Sequence, residues 1–341
     1  MKVYDDNVLK YLVTEGSGKS QIGSPANPLN RATSSSKSQK NSQSIHFNKE
    51  VLDLITKKLH AQPQEIVDVS ELKRGMTNYS FKFYVRGESY IIRIPGEGTQ
   101  ELINRRQEYE VYEQLKGHHI SDEVIYISPD KGYKLTKYIE DSRVCDPFSQ
   151  SDVNRCMKKL RAFHHKKLIV AHTFDLFEKI DFYESLWGGK ASIFEDYAET
   201  KKKIQELKKI IEEIPKECSL THIDAVPNNF LLTKNDTRLI DWEYAGMQDP
   251  HLDIAMFAIY SFYDEDQIDQ LIDFYFIEGC SETIRKKIYC YIAVSGLLWS
   301  NWCEYKRFVG IDFDDYGFKK YHYAKKYYKI VKDNWLEKEA L

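Results

Sequence analysis

The stretch Leu220-Thr221-His222-Ile223-Asp224-Ala225-Val226-Pro227-Asn228-Asn229-Phe230-Leu231-Leu232, followed by Leu239-Ile240-Asp241-Trp242-Glu243, decides the reading of this chain. Two apolar, strand-like pieces flank a polar loop with an acid at Asp224 and an amide five positions later at Asn229; a second acid, Asp241, follows 17 residues after the first. Three oxygen-bearing groups are thereby expected at one hairpin edge. Phosphoryl transfer uses such a set: a carboxylate orients the attacking hydroxyl and accepts its proton, and hard oxygen ligands hold Mg²⁺ against nucleotide phosphates. The residues therefore predict Asp224 as base and Asn229 and Asp241 as metal ligands. Asp, Pro and Asn are also turn formers, so a plain surface loop is the rival reading. Asp241 on an apolar lead-in and β-rich sequence upstream favour the catalytic one.

The His-x-Asp-x-x-x-x-Asn spacing matches the kinase catalytic loop, with Ile223 in place of its arginine. His222 is read as a hydrogen-bonding group that shapes the loop. Upstream, Tyr79 to Val85 and Ser89 to Ile94 are β-rich and joined by Arg86-Gly87-Glu88, predicting a hairpin. The turn before it, Lys73 to Asn78, offers backbone N–H groups to phosphates, with Gly75, Thr77 and Asn78 as candidate nucleotide contacts. Arg93 interrupts an apolar strand and needs an anionic partner, for which Glu108 on the next helix is the natural one. A strand is expected at Tyr133 to Ile139. Helices dominate after Ser149, at about 150–166, 200–214, 253–263, 266–278, 283–307 and 317–335. The fold class is thus α+β, a small β-rich lobe followed by a larger helical one, with a cleft expected between them.

A chain of 341 residues with 49 basic and 52 acidic side chains has no global field for nucleic acid, and no apolar run spans a bilayer. Neither a nucleic-acid partner nor membrane insertion is expected. No secretory signal is legible at the N-terminus, and the six cysteines lack a C-x-x-C pair, so a cytoplasmic protein with reduced, mostly buried thiols is expected. Residues 33–44 contain no apolar side chain and read as a linker; Val3 to Thr14 has the pattern of one short helix. Gly18-Lys19-Ser20 lacks the upstream glycine of a P-loop and is read as linker too. The expected organisation is a flexible segment 1–45, a nucleotide-binding lobe 46–139 and a catalytic and substrate-binding lobe 140–341.

The run Ile240 to Ala255, Ile-Asp-Trp-Glu-Tyr-Ala-Gly-Met-Gln-Asp-Pro-His-Leu-Asp-Ile-Ala, resembles the signature of the choline/ethanolamine kinases, and Leu297-Leu298-Trp299-Ser300-Asn301-Trp302 resembles that family's C-terminal Trp-x-x-Trp element. The resemblance covers roughly 60–335, and the chain closely resembles the bacterial branch. It implies a two-lobed, protein-kinase-like fold shared with aminoglycoside phosphotransferases, Asp224 as base, Asn229 and Asp241 as Mg²⁺ ligands, and Arg93 paired with Glu108 as a nucleotide-phosphate contact. It also implies a structural Asp253 and a hinge at Leu135 to Ile139 that meets adenine. The glycine-rich loop of the family is reduced to Gly75.

Trp299 and Trp302 lie three apart on one helix face, and paired indoles can wall a quaternary ammonium, which donates no N–H bond. Tyr244, Tyr260, Tyr263 and Tyr316 are candidate further walls, with Glu243 and Asp264 as nearby negative charge. His164-His165 reads as a helix-terminal cationic pair, and Lys201 to Lys203, Lys319-Lys320 and Lys325-Lys326 as solvated faces. The expectation is an ATP- and Mg²⁺-dependent kinase that converts choline to phosphocholine. Ethanolamine, another cationic alcohol or an aminoglycoside is the alternative acceptor, and a non-catalytic quaternary-amine sensor the alternative of another class. The oligomeric state is not legible.

Overall fold

The computed structural model describes residues 12–14, 45–72, 78–96, 98–313 and 315–336. Gly75, Thr77, the Gly18-Lys19-Ser20 run and the 33–44 linker lie outside them. The chain clusters into two compact units, one of residues 1–96 and 133–138, the other of 97–132 and 139–341.

The first unit holds strands β1 (Leu12–Thr14) and β2 (Ile45–Phe47), helix α1 (Lys49–Leu59), and strands β3 (Ile66–Glu71), β4 (Asn78–Val85), β5 (Glu88–Pro95) and β7 (Lys134–Lys137). β3, β4, β5 and β7 are neighbours in that order in one sheet, each step antiparallel. The hairpin turn places Arg86 and Gly87 both at positive φ, 51° and 82°, which matches the twist of a two-residue hairpin connection. β4 alternates Phe81, Phe83 and Val85 into the core, where Phe47 meets Phe81 and Phe83 edge-on at 5.8 and 5.6 Å. Leu12–Thr14 is a strand, not the end of a helix: it pairs antiparallel with β2, Leu12 opposite Phe47, and this long-range partner overrides the local pattern.

The second unit contains α2 (Arg105–Leu115), β6 (Val124–Ile127), β8 (Arg143–Val144), α3 (Gln150–His164), α4 (Leu176–Ser185), α5 (Tyr197–Glu213) and β9 (Ser219–Thr221). It continues through β10 (Phe230–Leu232), β11 (Thr237–Leu239), β12 (Gly246–Gln248), α6 (His251–Ser261), α7 (Glu265–Tyr275), α8 (Glu282–Phe308) and α9 (Asp315–Val331). Its core is helical. α6 is buried nearly all round, nine of its eleven residues, with Asp253 the buried acid among them, and α8 is buried from Lys286 to Lys306. α9 packs so closely on α8 that a Cβ added at Gly296 would stand 2.7 Å from the Ala324 backbone nitrogen. No helix among the described residues is long and apolar enough to cross a membrane.

Two short antiparallel ladders frame the loop quoted at the outset. β9 pairs with β12, Thr221 opposite Gly246, and β10 pairs with both β11 and β8. Segment 172–174 approaches Gly246 to 3.3 Å of where a Cβ would stand, so a side chain there fits only if that segment gives by a few tenths of an ångström.

Candidate active site

The β9–β10 connection is held from beneath by Asp253, whose fully buried carboxylate accepts from the backbone N–H of His222 at 2.9 Å and of Ile223 at 2.7 Å. Ile223 has φ +70°, an uncommon and costly conformation for a β-branched residue, and the two anchored amides sustain it. Asp253 also meets His164 Nε2 at 2.9 Å, and His164 Nδ1 meets the Tyr275 hydroxyl at 2.8 Å. His164, the last residue of α3, is therefore buried and bonded on both ring nitrogens, an interior link between α3, α6 and α7. His222 shapes the loop through Nε2 to the Ile240 carbonyl at 2.9 Å and an edge contact of 4.4 Å with Trp242.

The three oxygen groups predicted from sequence lie on this frame. Asn229 Nδ2 donates to the Asp224 carbonyl at 2.9 Å and to its Oδ2 at 3.0 Å, and Asn229 O receives Ile240 N at 2.9 Å, next to Asp241. Asp224 Oδ1 is buried with no hydrogen-bond partner among the described residues. Burial, then the charges of Asp241 and Glu243, raise the Asp224 carboxyl well above the ordinary carboxylate range. Asp241, at φ +68°, lies with Glu108 and Glu243 so that one oxygen of each falls within 4.8 Å of the others. Arg105 Nη1 bridges two of them, 3.0 Å from Glu108 Oε2 and 3.0 Å from Glu243 Oε2. Hard carboxylate oxygens in this arrangement suit Mg²⁺.

Five of the predicted aromatic residues form one cluster. Trp299 and Trp302 meet at 6.2 Å, Tyr244 and Tyr260 lie 5.4 and 5.9 Å from Trp299, and Tyr316 lies 6.1 Å from Tyr260. Trp302 Nε1 donates to the Tyr244 hydroxyl at 3.2 Å. Burial first, then charges that include Asp224, raises the phenols of Tyr244, Tyr260 and Tyr316, so the cluster lies within electrostatic reach of the acid. A cavity of about 720 Å³, with Arg105, His172, Phe174 and Lys179 in its wall, adjoins at Glu243 and Tyr244.

A model of the choline/ethanolamine kinases matches residues 69–280. The chain belongs to the choline/ethanolamine kinase family. The protein LicA of Haemophilus influenzae is 28% identical over 265 residues, 72% of this chain and 96% of its own. The crystal structure of choline kinase LicA from Streptococcus pneumoniae matches at TM-score 0.73 and 28% identity over 83% of this chain and 100% of that one, and a LicA complex with AMP at 0.72 and 28%, over 83% and 98%. The GDP complex of an aminoglycoside 2'-phosphotransferase, 14% identical, matches at TM-score 0.59 over 82% of this chain and 98% of that chain, a likeness of fold alone. The fold is thus protein-kinase-like, and the protein is a nucleotide-binding phosphotransferase of this family.

Several predicted residues of this kinase do other work. Tyr263 stands apart from the cluster: its hydroxyl donates to Pro147 O and its ring meets Phe257 and Phe148. Asp264 is the N-cap of α7, accepting from Gln267 N at 3.0 Å, so its charge serves the helix start. Lys320 is not solvated. It is fully buried, donates to Ile259 O at 2.7 Å, and stands 4.0, 4.5 and 4.6 Å from the Tyr260, Phe262 and Tyr316 centroids. Burial pushes the Lys320 amine well below its ordinary range, and part of the π surface assigned to a ligand is already covered by it. Arg93 is buried in β5 opposite Ser80, and Asn78 opens β4 opposite Pro95, both in the first unit.

Sequence reading missed Arg105, which follows the N-cap Asn104 and has no periodic signature, and Lys306, fully buried 5.5 Å from the Trp302 ring. It also missed α4, although Asp175 ahead of Leu176, Ile180, Tyr183 and Trp187 is a capped helical stripe.

Proposed function

We propose that this kinase transfers the γ-phosphoryl group of ATP to the hydroxyl of choline, giving phosphocholine. The observation that carries the reading is the ring cluster of Tyr244, Tyr260, Trp299, Trp302 and Tyr316 beside the partnerless Oδ1 of Asp224. A trimethylammonium group binds aromatic faces without needing an acceptor, each contact contributing about 0.5–2 kcal/mol. With the ammonium held there, Asp224 receives the proton of the alcohol, and Asn229, bonded to Oδ2, keeps the other oxygen turned toward the substrate. Asp241 and Asn229 would hold Mg²⁺, with Glu243 and Glu108 close by, and the ion when bound neutralises charge on the β- and γ-phosphates. Arg93, Glu108 and the segment Gly75 to Asn78 are proposed as the nucleotide-phosphate contacts, making 46–139 the nucleotide lobe and 140–341 the catalytic one.

The test is ³¹P NMR of wild-type protein with ATP and Mg²⁺, supplied in turn with choline, ethanolamine, an aminoglycoside and no acceptor. A phosphocholine resonance is the expected result. Product only with ethanolamine or an aminoglycoside would replace the acceptor, and choline binding without any product would favour a sensor.

A further inference from the structure

Tyr183 belongs to the buried stripe of α4 and is itself fully buried, yet its hydroxyl has no hydrogen-bond partner among the described residues. Buried phenols ordinarily find a partner, so an orphaned one asks what completes it. Its position is fixed from both sides. One turn before it, Ile180 O accepts from Asn301 Nδ2 at 3.3 Å, and one turn after it, Trp187 Nε1 donates to Asn301 O at 3.1 Å. The face of α4 that bears Tyr183 is therefore fastened to the turn of α8 that carries Trp299 and Trp302. The neighbouring Phe182 lines the cavity that reaches Glu243 and Tyr244. The charges of Asp224 and Glu243, after burial, raise the proton affinity of the phenol, which keeps it a neutral donor.

Two orphaned polar groups thus lie within electrostatic reach of each other: Asp224 Oδ1, an acceptor, and the Tyr183 hydroxyl, able to donate. An alcohol satisfies both, giving its proton to the first and accepting from the second. We propose that Tyr183 is a substrate-contacting residue of the acceptor pocket, donating to the oxygen of the alcohol that Asp224 deprotonates. This rests on the acceptor-site reading above and adds the group that fixes where the nucleophile points. One lone pair of the alcohol oxygen takes the Tyr183 hydrogen bond and another forms the new O–P bond. The bond from the γ-phosphorus to its bridging oxygen breaks, ADP leaves with that electron pair, and the alcohol proton ends on Asp224. Tyr183 keeps its own proton throughout.

The experiment compares wild type with Tyr183→Phe, which removes one oxygen atom and nothing else. Calorimetric titrations use choline and ethyltrimethylammonium, the analogue without the hydroxyl, beside thermal unfolding and ADP release. Tyr183→Phe is expected to unfold at the same or a higher temperature, since it loses an unsatisfied buried group. It should bind choline about three- to tenfold more weakly, bind ethyltrimethylammonium as wild type does, and lose at least the same factor in kcat/KM. Equal weakening of both ligands, or wild-type choline binding and turnover, would overturn the proposal. Should the variant misfold, the wild-type preference for choline over ethyltrimethylammonium decides: no preference overturns it. Asp224→Ala is run alongside. Full ADP release by Asp224→Ala sinks the acceptor-site reading itself, whereas an inactive Asp224→Ala beside an unaffected Tyr183→Phe sinks only the role of Tyr183.

Discussion

Replacing Asp253 by alanine removes an acceptor of three buried hydrogen bonds, from His222 N at 2.9 Å, Ile223 N at 2.7 Å and His164 Nε2 at 2.9 Å. Each stranded buried donor costs about 1–3 kcal/mol, so three set a ceiling near 9 kcal/mol. The imidazole can turn or change tautomer, which leaves about 2–6 kcal/mol for the two amides. Without them Ile223 has no reason to stay at φ +70°, and Asp224, the next residue, moves with it. Displacement of the base by an ångström is enough for about a 10²-fold loss of turnover. Urea unfolding should therefore show Asp253→Ala less stable by about 2–6 kcal/mol, with ADP release down by about two orders of magnitude. Asp253→Asn, which keeps the shape and one acceptor oxygen, should fall between it and wild type in both assays. An Asp253→Ala protein within 1 kcal/mol of wild type and fully active would refute the claim that this carboxylate holds the loop.

Trp302→Ala should raise the choline KM about two- to thirtyfold and leave the ATP KM unchanged in steady-state kinetics, as expected for loss of one cation–π wall. His251 is pushed from 6.5 to about 4, chiefly by burial, so the folded state resists its protonation. Its contribution is complete above pH 6.5 and lost as pH falls toward 4, up to about 3 kcal/mol, and urea unfolding of His251→Gln across that window should show a flatter acid decline. Gly296→Ala should destabilise by about 1–3 kcal/mol, read by thermal unfolding; Ala324→Gly in the same chain should not restore it, since the nearest atoms are backbone N and Cα.

Elements defined by long, consistent patterns were legible in the sequence. The hairpin expected at 79–94 is found at 78–95, and the helix expected at 283–307 is Glu282–Phe308, because alternation, an Arg-Gly turn and an unbroken apolar helix are local signals. The acid, amide and acid of the central loop were legible because their spacing is set by a hairpin. What escaped depends on contacts distant in sequence. Arg105 joins Glu108 to Glu243 across 138 residues, and no local pattern announces such a bridge. Lys320 reads as a surface cation until Ile259 and three rings are found around it. Asp264 serves the start of α7 and Tyr263 the Pro147 carbonyl, because composition says which side chains are available but not which way the α6–α7 turn aims them.

The central claim is that Asp224 takes the proton of choline in a phosphoryl transfer from ATP. It is tested most directly by initial rates of ADP release at saturating ATP and Mg²⁺, with and without choline, for wild type and Asp224→Asn side by side. The account predicts choline-dependent release by wild type and a fall of about 10²- to 10⁴-fold in the variant, with its folded state intact by thermal unfolding. Choline-dependent release by Asp224→Asn at the wild-type rate would contradict it.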